Sequence, residues 1–156
     1  MKDVLIFDMD GTISDLYGVP NWLDKIHNED TKLFENADPI YDMNILNNLV
    51  NKLKANYVIV VNTWLPMNAT KEYKKNVAKQ KKAWLKKYNF PADKIYCRAH
   101  GENKAYATKN YKVTQILVDD NRIVRQKFEN YKNATNNITI NARKNILVEL
   151  NKLLCD

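Results

Sequence analysis

Residues 5–15 read LIFDMDGTISD. Three apolar residues, Leu5, Ile6 and Phe7, run into Asp8, and a second carboxylate, Asp10, follows two positions on. Carboxylates this close repel each other, and burial raises the cost of each charge. A bound cation offsets both effects. A second acidic pair, Asp119 and Asp120, follows another apolar run at 116–118. Mg²⁺ prefers hard oxygen ligands in near-octahedral geometry. Two acidic pairs at the ends of two strands of one sheet can converge on one such ion, with one carboxylate free to act as a nucleophile. An EF-hand does not fit, because its sixth loop position would be Ile13 instead of Gly and its twelfth Val19 instead of Glu. A simple Asp10-Gly11 turn explains Gly11 but not Asp8.

Strands must position these acids, and the sequence supplies candidates. Residues 4–7 form a short continuous apolar run, as in a parallel strand covered on both faces. Further strands are expected at 57–61 (YVIVV), 94–98, 116–118 and 138–140. Between them lie helical patterns. Ile45, Leu46, Leu49, Val50 and Leu53 make one apolar stripe. Thr70 is a candidate N-cap for a helix reaching about residue 88, with a stripe of Tyr73, Val77, Trp84, Leu85 and Tyr88. Its other face carries Lys71, Lys74, Lys75, Lys79, Lys82 and Lys86, which reads first as a solvated surface. A short helix is expected at 104–109 and a last one at about 142–154. Alternation of strands and helices predicts an α/β fold with a mostly parallel five-stranded sheet between helical layers. Sites in such sheets form at the carboxyl ends of the strands, which singles out Asp8, Asn62, Thr63, Asp119 and Asp120.

The pattern resembles the haloacid dehalogenase (HAD) superfamily of phosphatases. Asp8-Met9-Asp10-Gly11-Thr12-Ile13 matches its first motif, D-x-D-G-T-[LI]. Thr63, after YVIVVN, matches the second, a Ser or Thr ending an apolar strand. Lys104, in HGENK, sits where the third-motif lysine is expected, with Lys109 and Lys112 as alternatives, and Asp119-Asp120 matches the acidic fourth motif. The four motifs occur in order over most of the chain. VNTWLPMNATKEY, KKAWLKKY and ILVDDN are further similar to small phage and bacterial proteins of the 5'(3')-deoxyribonucleotidase (cytosolic 5'-nucleotidase) type.

That resemblance implies a HAD-like Rossmannoid sandwich, Mg²⁺ as cofactor and hydrolysis of a phosphomonoester through an aspartyl-phosphate. Asp8 would be the nucleophile and Asp10 the proton donor and acceptor. Thr63 and Lys104 would hold phosphoryl oxygens. The metal would rest on Asp8, the Asp10 backbone carbonyl and Asp120, with Asp119 acting through water or orienting the site. HAD enzymes choose substrates largely through cap insertions. The interval here, about 16–43, is short, with one expected helix near 21–27 followed by polar loop. A single domain over 1–156 with a small, open cap admits nucleoside monophosphates. It also admits 3'-phosphorylated DNA or RNA ends, and a non-catalytic phosphate- or partner-binding protein is a third reading. Tyr17, Trp22 and Trp64 could stack on a base or pack in the core, and His27 and His100 carry no motif.

Composition sets the bounds. The chain has 156 residues, 45% apolar and 28% charged, which suits one soluble core. No apolar run is long enough to span a membrane, and the N-terminus lacks a signal-peptide h-region. Cys97 and Cys155 form no metal or redox motif, so free thiols and a cytoplasmic setting are expected. The net charge of +7 favours anionic partners, nucleotides or nucleic acid among them. A monomer or homodimer fits equally.

Overall fold

The structure is a computed structural model that describes residues 2–105, 113–131 and 136–155. Five strands make one sheet: β1 (Asp3–Phe7), β2 (Tyr57–Trp64), β3 (Lys94–Arg98), β4 (Thr114–Asp119) and β5 (Asn136–Asn141). Their order is β3-β2-β1-β4-β5, and every pairing is parallel. The expected mostly parallel sheet is therefore wholly parallel. The chain winds outward from β1 to β3, then returns to pair β4 against the other edge of β1. That reversal opens a crevice between the carboxyl ends of β1 and β4, where open α/β sheets bind ligands.

Side-chain alternation builds a core on each face of the sheet. Leu5, Phe7, Ile59, Val61, Ile116 and Val118 point to one face, against α2 (Met43–Leu53), α5 (Ile146–Lys152) and Trp84 and Leu85 of α3 (Lys71–Lys87). Val4, Ile6, Val60 and Leu117 point to the other, against Val124 and Phe128 of α4 (Arg122–Glu129). Burial of each such aliphatic side chain contributes about 1.5–3 kcal/mol, and burial on both faces explains why the strands read as unbroken apolar runs.

The caps follow the chemistry expected of them. Thr70 accepts the Tyr73 N–H at the start of α3, and Asp42, Asn121 and Asn145 cap α2, α4 and α5 with side-chain oxygens. Several boundaries differ from expectation. β2 continues to Trp64, and α5 begins at Ile146, because Asn145 caps it there. The α4 helix was not expected. It holds only two buried side chains, Val124 and Phe128, one turn apart in a polar segment. Ile45, placed on the apolar stripe of α2, is 56% exposed, and Ile138 is exposed because β5 is an edge strand. The helix expected at 104–109 lies largely outside the described residues, as do Lys109 and Lys112.

The segment between β1 and α2 is more than one helix and polar loop. It holds α1 (Trp22–His27) after a 3₁₀ turn at Leu16–Gly18. Leu16, Leu33 and Phe34 are buried against Tyr73 and Val77 of α3. Polar bonds fix the packing: Gln80 Oε1 accepts the Phe34 N–H at 2.9 Å, and the Trp84 indole donates to the Ala37 carbonyl at 2.7 Å. Glu29 accepts both the Thr70 amide and its hydroxyl at 2.8 Å.

Candidate active site

Asp8 follows β1 directly, and its amide donates to the Val118 carbonyl of β4 at 2.9 Å. Asp119 ends β4 and Asp120 comes next. The crevice thus gathers three carboxylates. One oxygen from each of Asp8, Asp119 and Asp120 lies within 4.8 Å of the others. Asp8 and Asp119 are buried. Gly11 is needed beside them. Its φ is +78°, and a Cβ there would meet Asp120 Oδ2 at 2.8 Å and Tyr17 Cε2 at 2.6 Å.

Lys104 reaches this cluster from the segment after β3. Its ammonium is buried and pairs with Asp8 Oδ1 and, at 3.2 Å, with Asp119 Oδ2. It also donates to the Asn62 carbonyl at 2.8 Å, while the Asn62 amide donates back to the Lys104 carbonyl at 2.9 Å. Asn62, a strand-end residue with no role expected of it, thereby fixes both ends of Lys104. Burial alone would lower the Lys104 pKa; Asp8 and Asp119 outweigh it and raise the pKa. Burial and the Asp8 charge push Asp119 up to about 7, against the opposing pull of Lys104. Burial and Asp8 also raise Asp120, with Arg143 partly offsetting them.

The opposite side of Asp8 is organised by Lys81, which lies in the quoted KKAWLKKY run but had no role expected of it. It sits on α3, is fully buried, and donates to Asp10 Oδ2 at 2.6 Å, Thr63 Oγ1 at 2.7 Å and the Trp64 carbonyl at 2.7 Å. The Phe34 ring lies 4.9 Å from its nitrogen. Thr63 accepts from Lys81, so its own O–H proton remains to be donated. Asp10 Oδ1 is buried with no hydrogen-bond partner among the described residues. Burial raises the Asp10 pKa, Lys81 opposes the rise and Asp8 adds to it. Asp8, Asp10, Thr63, Lys104, Asp119 and Asp120 are therefore brought together at one end of the sheet, and Lys81 joins them.

A cleft of about 470 Å³ opens over Asp8, Asp10, Lys104, Asp119 and Asp120, with Thr63 and Lys81 buried behind its lining. Tyr17, Trp22 and Trp64 all line it, and Trp22 and Trp64 also pack against the cores beneath. Tyr17 and Trp22 meet edge to face at 5.0 Å. Trp64 packs against His100 at 4.8 Å and donates its indole N–H to the Glu102 carbonyl at 3.0 Å. His27 and His100, which carried no motif, also reach the cleft. Tyr17 and Met67 leave 50% and 61% of their surface exposed at its rim, so the cleft has an apolar, aromatic mouth over an ionic floor.

The donor set suits a hard divalent cation. Three carboxylates face one buried ammonium, and all the side-chain ligands on offer are oxygens.

Neither a protein-family model nor a curated protein matches this sequence. Solved structures do. Two chains from the Pnkp1/Rnl/Hen1 RNA repair complex superpose with a TM-score of 0.55, at 16% and 15% identity, over 90% of this chain. The match spans 43% and 46% of those chains, less than half their length. It shows a Rossmann-like α/β fold of the kind seen in those proteins.

Proposed function

We propose that this protein is a divalent-metal-dependent phosphomonoester hydrolase of the HAD type, a single catalytic domain whose 16–43 segment serves as a small cap. One observation carries the reading: carboxylates from β1 and β4 converge at the sheet's switch point, with Lys104 between them and Asp10 held apart by Lys81.

In this reading an Asp8 oxygen attacks phosphorus, the phosphorus–oxygen bond to the leaving group breaks, and Asp10 gives that oxygen a proton. Water then attacks the aspartyl-phosphate, returns a proton to Asp10 and frees Asp8 with inorganic phosphate. Asp10 Oδ1 suits this work because Lys81 occupies only Oδ2. The Lys104 ammonium and the Thr63 hydroxyl hold phosphoryl oxygens. Mg²⁺, held by Asp8, the Asp10 carbonyl and Asp120, would neutralise phosphoryl charge, with Asp119 positioned by Lys104 and the Asn121 amide.

The substrate best fitted to an ionic floor and an aromatic mouth is a (deoxy)nucleoside monophosphate, its base against Tyr17, Trp22 or Trp64. A second reading, a phosphatase of DNA or RNA ends, draws on the structural neighbours, which belong to an RNA repair complex. The test is Mg²⁺-dependent phosphate release from nucleoside 5'- and 3'-monophosphates, terminally phosphorylated oligonucleotides and an aryl phosphate. Release that Asp8→Asn abolishes supports the reading. No release from any of them by folded protein contradicts it, and favours a binding role.

A further inference from the structure

The chain carries 25 basic residues besides histidine, and only four of them are arginines: Arg98, Arg122, Arg125 and Arg143. Three of the four, Arg122, Arg125 and Arg143, line one groove of about 570 Å³. That groove is not remote. Asp120 and Asn121 line both it and the aromatic cleft, so the two adjoin at the carboxyl end of β4.

The concentration of arginine has chemical meaning. Lysine is the default cation of this chain and covers the solvent face of α3. Arginine presents a planar fork that binds phosphate oxygens in pairs, which an ammonium does not do. The rest of the groove wall also supplies amides, from Asn121, Gln126 and Asn141, and Asp120 is its one acidic residue among the described residues. Arg125 is anchored: its Nη1 donates to the Asp119 carbonyl at 2.7 Å, which fixes the guanidinium to the strand that bears the acids. Arg122 and Arg143 are exposed, and neither is in an ion pair with a described residue. Arg143 partly offsets the Asp120 charge, and Arg122 and Arg125 line the same groove beside it.

We infer that the Arg122–Arg125–Arg143 groove binds a second phosphate of the same substrate, the internucleotide phosphate next to the terminal one that the acid centre hydrolyses. The inference rests on the proposed phosphatase reading and extends it from mononucleotides to polynucleotide ends. The aromatic cleft would hold the terminal nucleoside and the groove the backbone leaving it, a division between specifying and positioning contacts usual in nucleic-acid recognition.

The test separates binding from turnover. Anisotropy of fluorescein-labelled trinucleotides, ribo and deoxy, phosphorylated at either end, is measured in EDTA with wild type and with Arg122→Ala/Arg143→Ala. The same trinucleotides without a terminal phosphate and a nucleoside 3',5'-bisphosphate serve as competitors. Expected is a Kd for the trinucleotide weakened about tenfold or more in the double variant, a salt dependence shallower than wild type's, and partial recovery in Arg122→Lys/Arg143→Lys. In turnover, the ratio of kcat/KM for the phosphorylated trinucleotide to that for an aryl phosphate should fall about tenfold in the alanine variant. Competition by the bisphosphate as strong as by the oligonucleotide would overturn the polynucleotide assignment. An unchanged Kd and an unchanged ratio in a folded double variant would overturn the groove itself, even where aryl phosphate is hydrolysed. Oligonucleotide binding that depends on the arginines, with no substrate turned over, would sink the phosphatase reading and leave the groove standing.

Discussion

Two lysines meet the acids of this site from opposite sides, and their surroundings differ. From the segment after β3, Lys104 faces Asp8, Asp119 and the neighbouring Asp120, so three carboxylates share one ammonium. Between β1 and β2, Lys81 faces Asp10 alone, with Thr63 and the Trp64 carbonyl completing its bonds. The first side carries surplus negative charge, which a bound cation would offset. The second is balanced, and a buried lysine with three acceptors needs nothing more. One chain thus sets two carboxylates two residues apart in different surroundings: Asp8 lies with Asp119, Asp120 and Lys104, and Asp10 is held by Lys81, which in the proposed function makes Asp8 the nucleophile and Asp10 the proton carrier.

The comparison breaks most visibly at Asp8. Asp8→Asn should lower kcat for every substrate by at least about a thousandfold, in a phosphate-release assay with circular dichroism confirming the fold; retained turnover would remove Asp8 from the chemistry. Lys81→Met comes next. It should cost about a hundredfold in kcat with an alkyl leaving group, which needs Asp10 as an acid, yet spare the pre-steady-state burst of dinitrophenyl phosphate, whose leaving group does not. Equal losses for both would make Lys81 merely structural. Asp120→Asn should raise the half-saturating Mg²⁺ concentration by roughly tenfold, while Lys81→Met should leave it near wild type.

The smallest effect is on stability. Asp119 has a folded pKa raised to about 7, above the ordinary 3.8. The folded state therefore binds more protons than the unfolded one between those values, and stability falls as pH rises from about 4 to about 7. Thermal melts without metal should show that decline. Mg²⁺ should reverse it, with a stabilisation that grows with pH as the cation replaces the proton. A melting temperature flat across that window, with and without Mg²⁺, would contradict the surplus charge assigned to the Lys104 side.

The two sides were also unequally legible in the sequence. The acids could be read because each follows an apolar run, and a parallel sheet puts strand ends together. Lys104 could be read only through the motif it resembles, since its loop has no periodicity. Lys81 was hidden among the eight lysines of α3. Its signal was positional: residue 81 lies four after Val77 and three before Trp84, on the buried stripe itself, so a lysine there needs partners. Helix α4 was missed because two buried residues in eight make a faint stripe. The packing of Leu33 and Phe34 was missed because it depends on α3, distant in sequence. The gathering of three arginines beside Asp120 joins residues from α4 and the turn after β5, which no local pattern reports.

The most direct measurement is mass spectrometry of an acid-quenched reaction. Asp10→Asn is mixed with Mg²⁺ and dinitrophenyl phosphate, a substrate that phosphorylates Asp8 without an acid but leaves the intermediate without its base. A phosphate adduct should accumulate on the peptide bearing Asp8 and vanish when Mg²⁺ is omitted. Turnover by the wild type with no adduct in this variant, or an adduct on any other residue, would contradict Asp8 as the nucleophile.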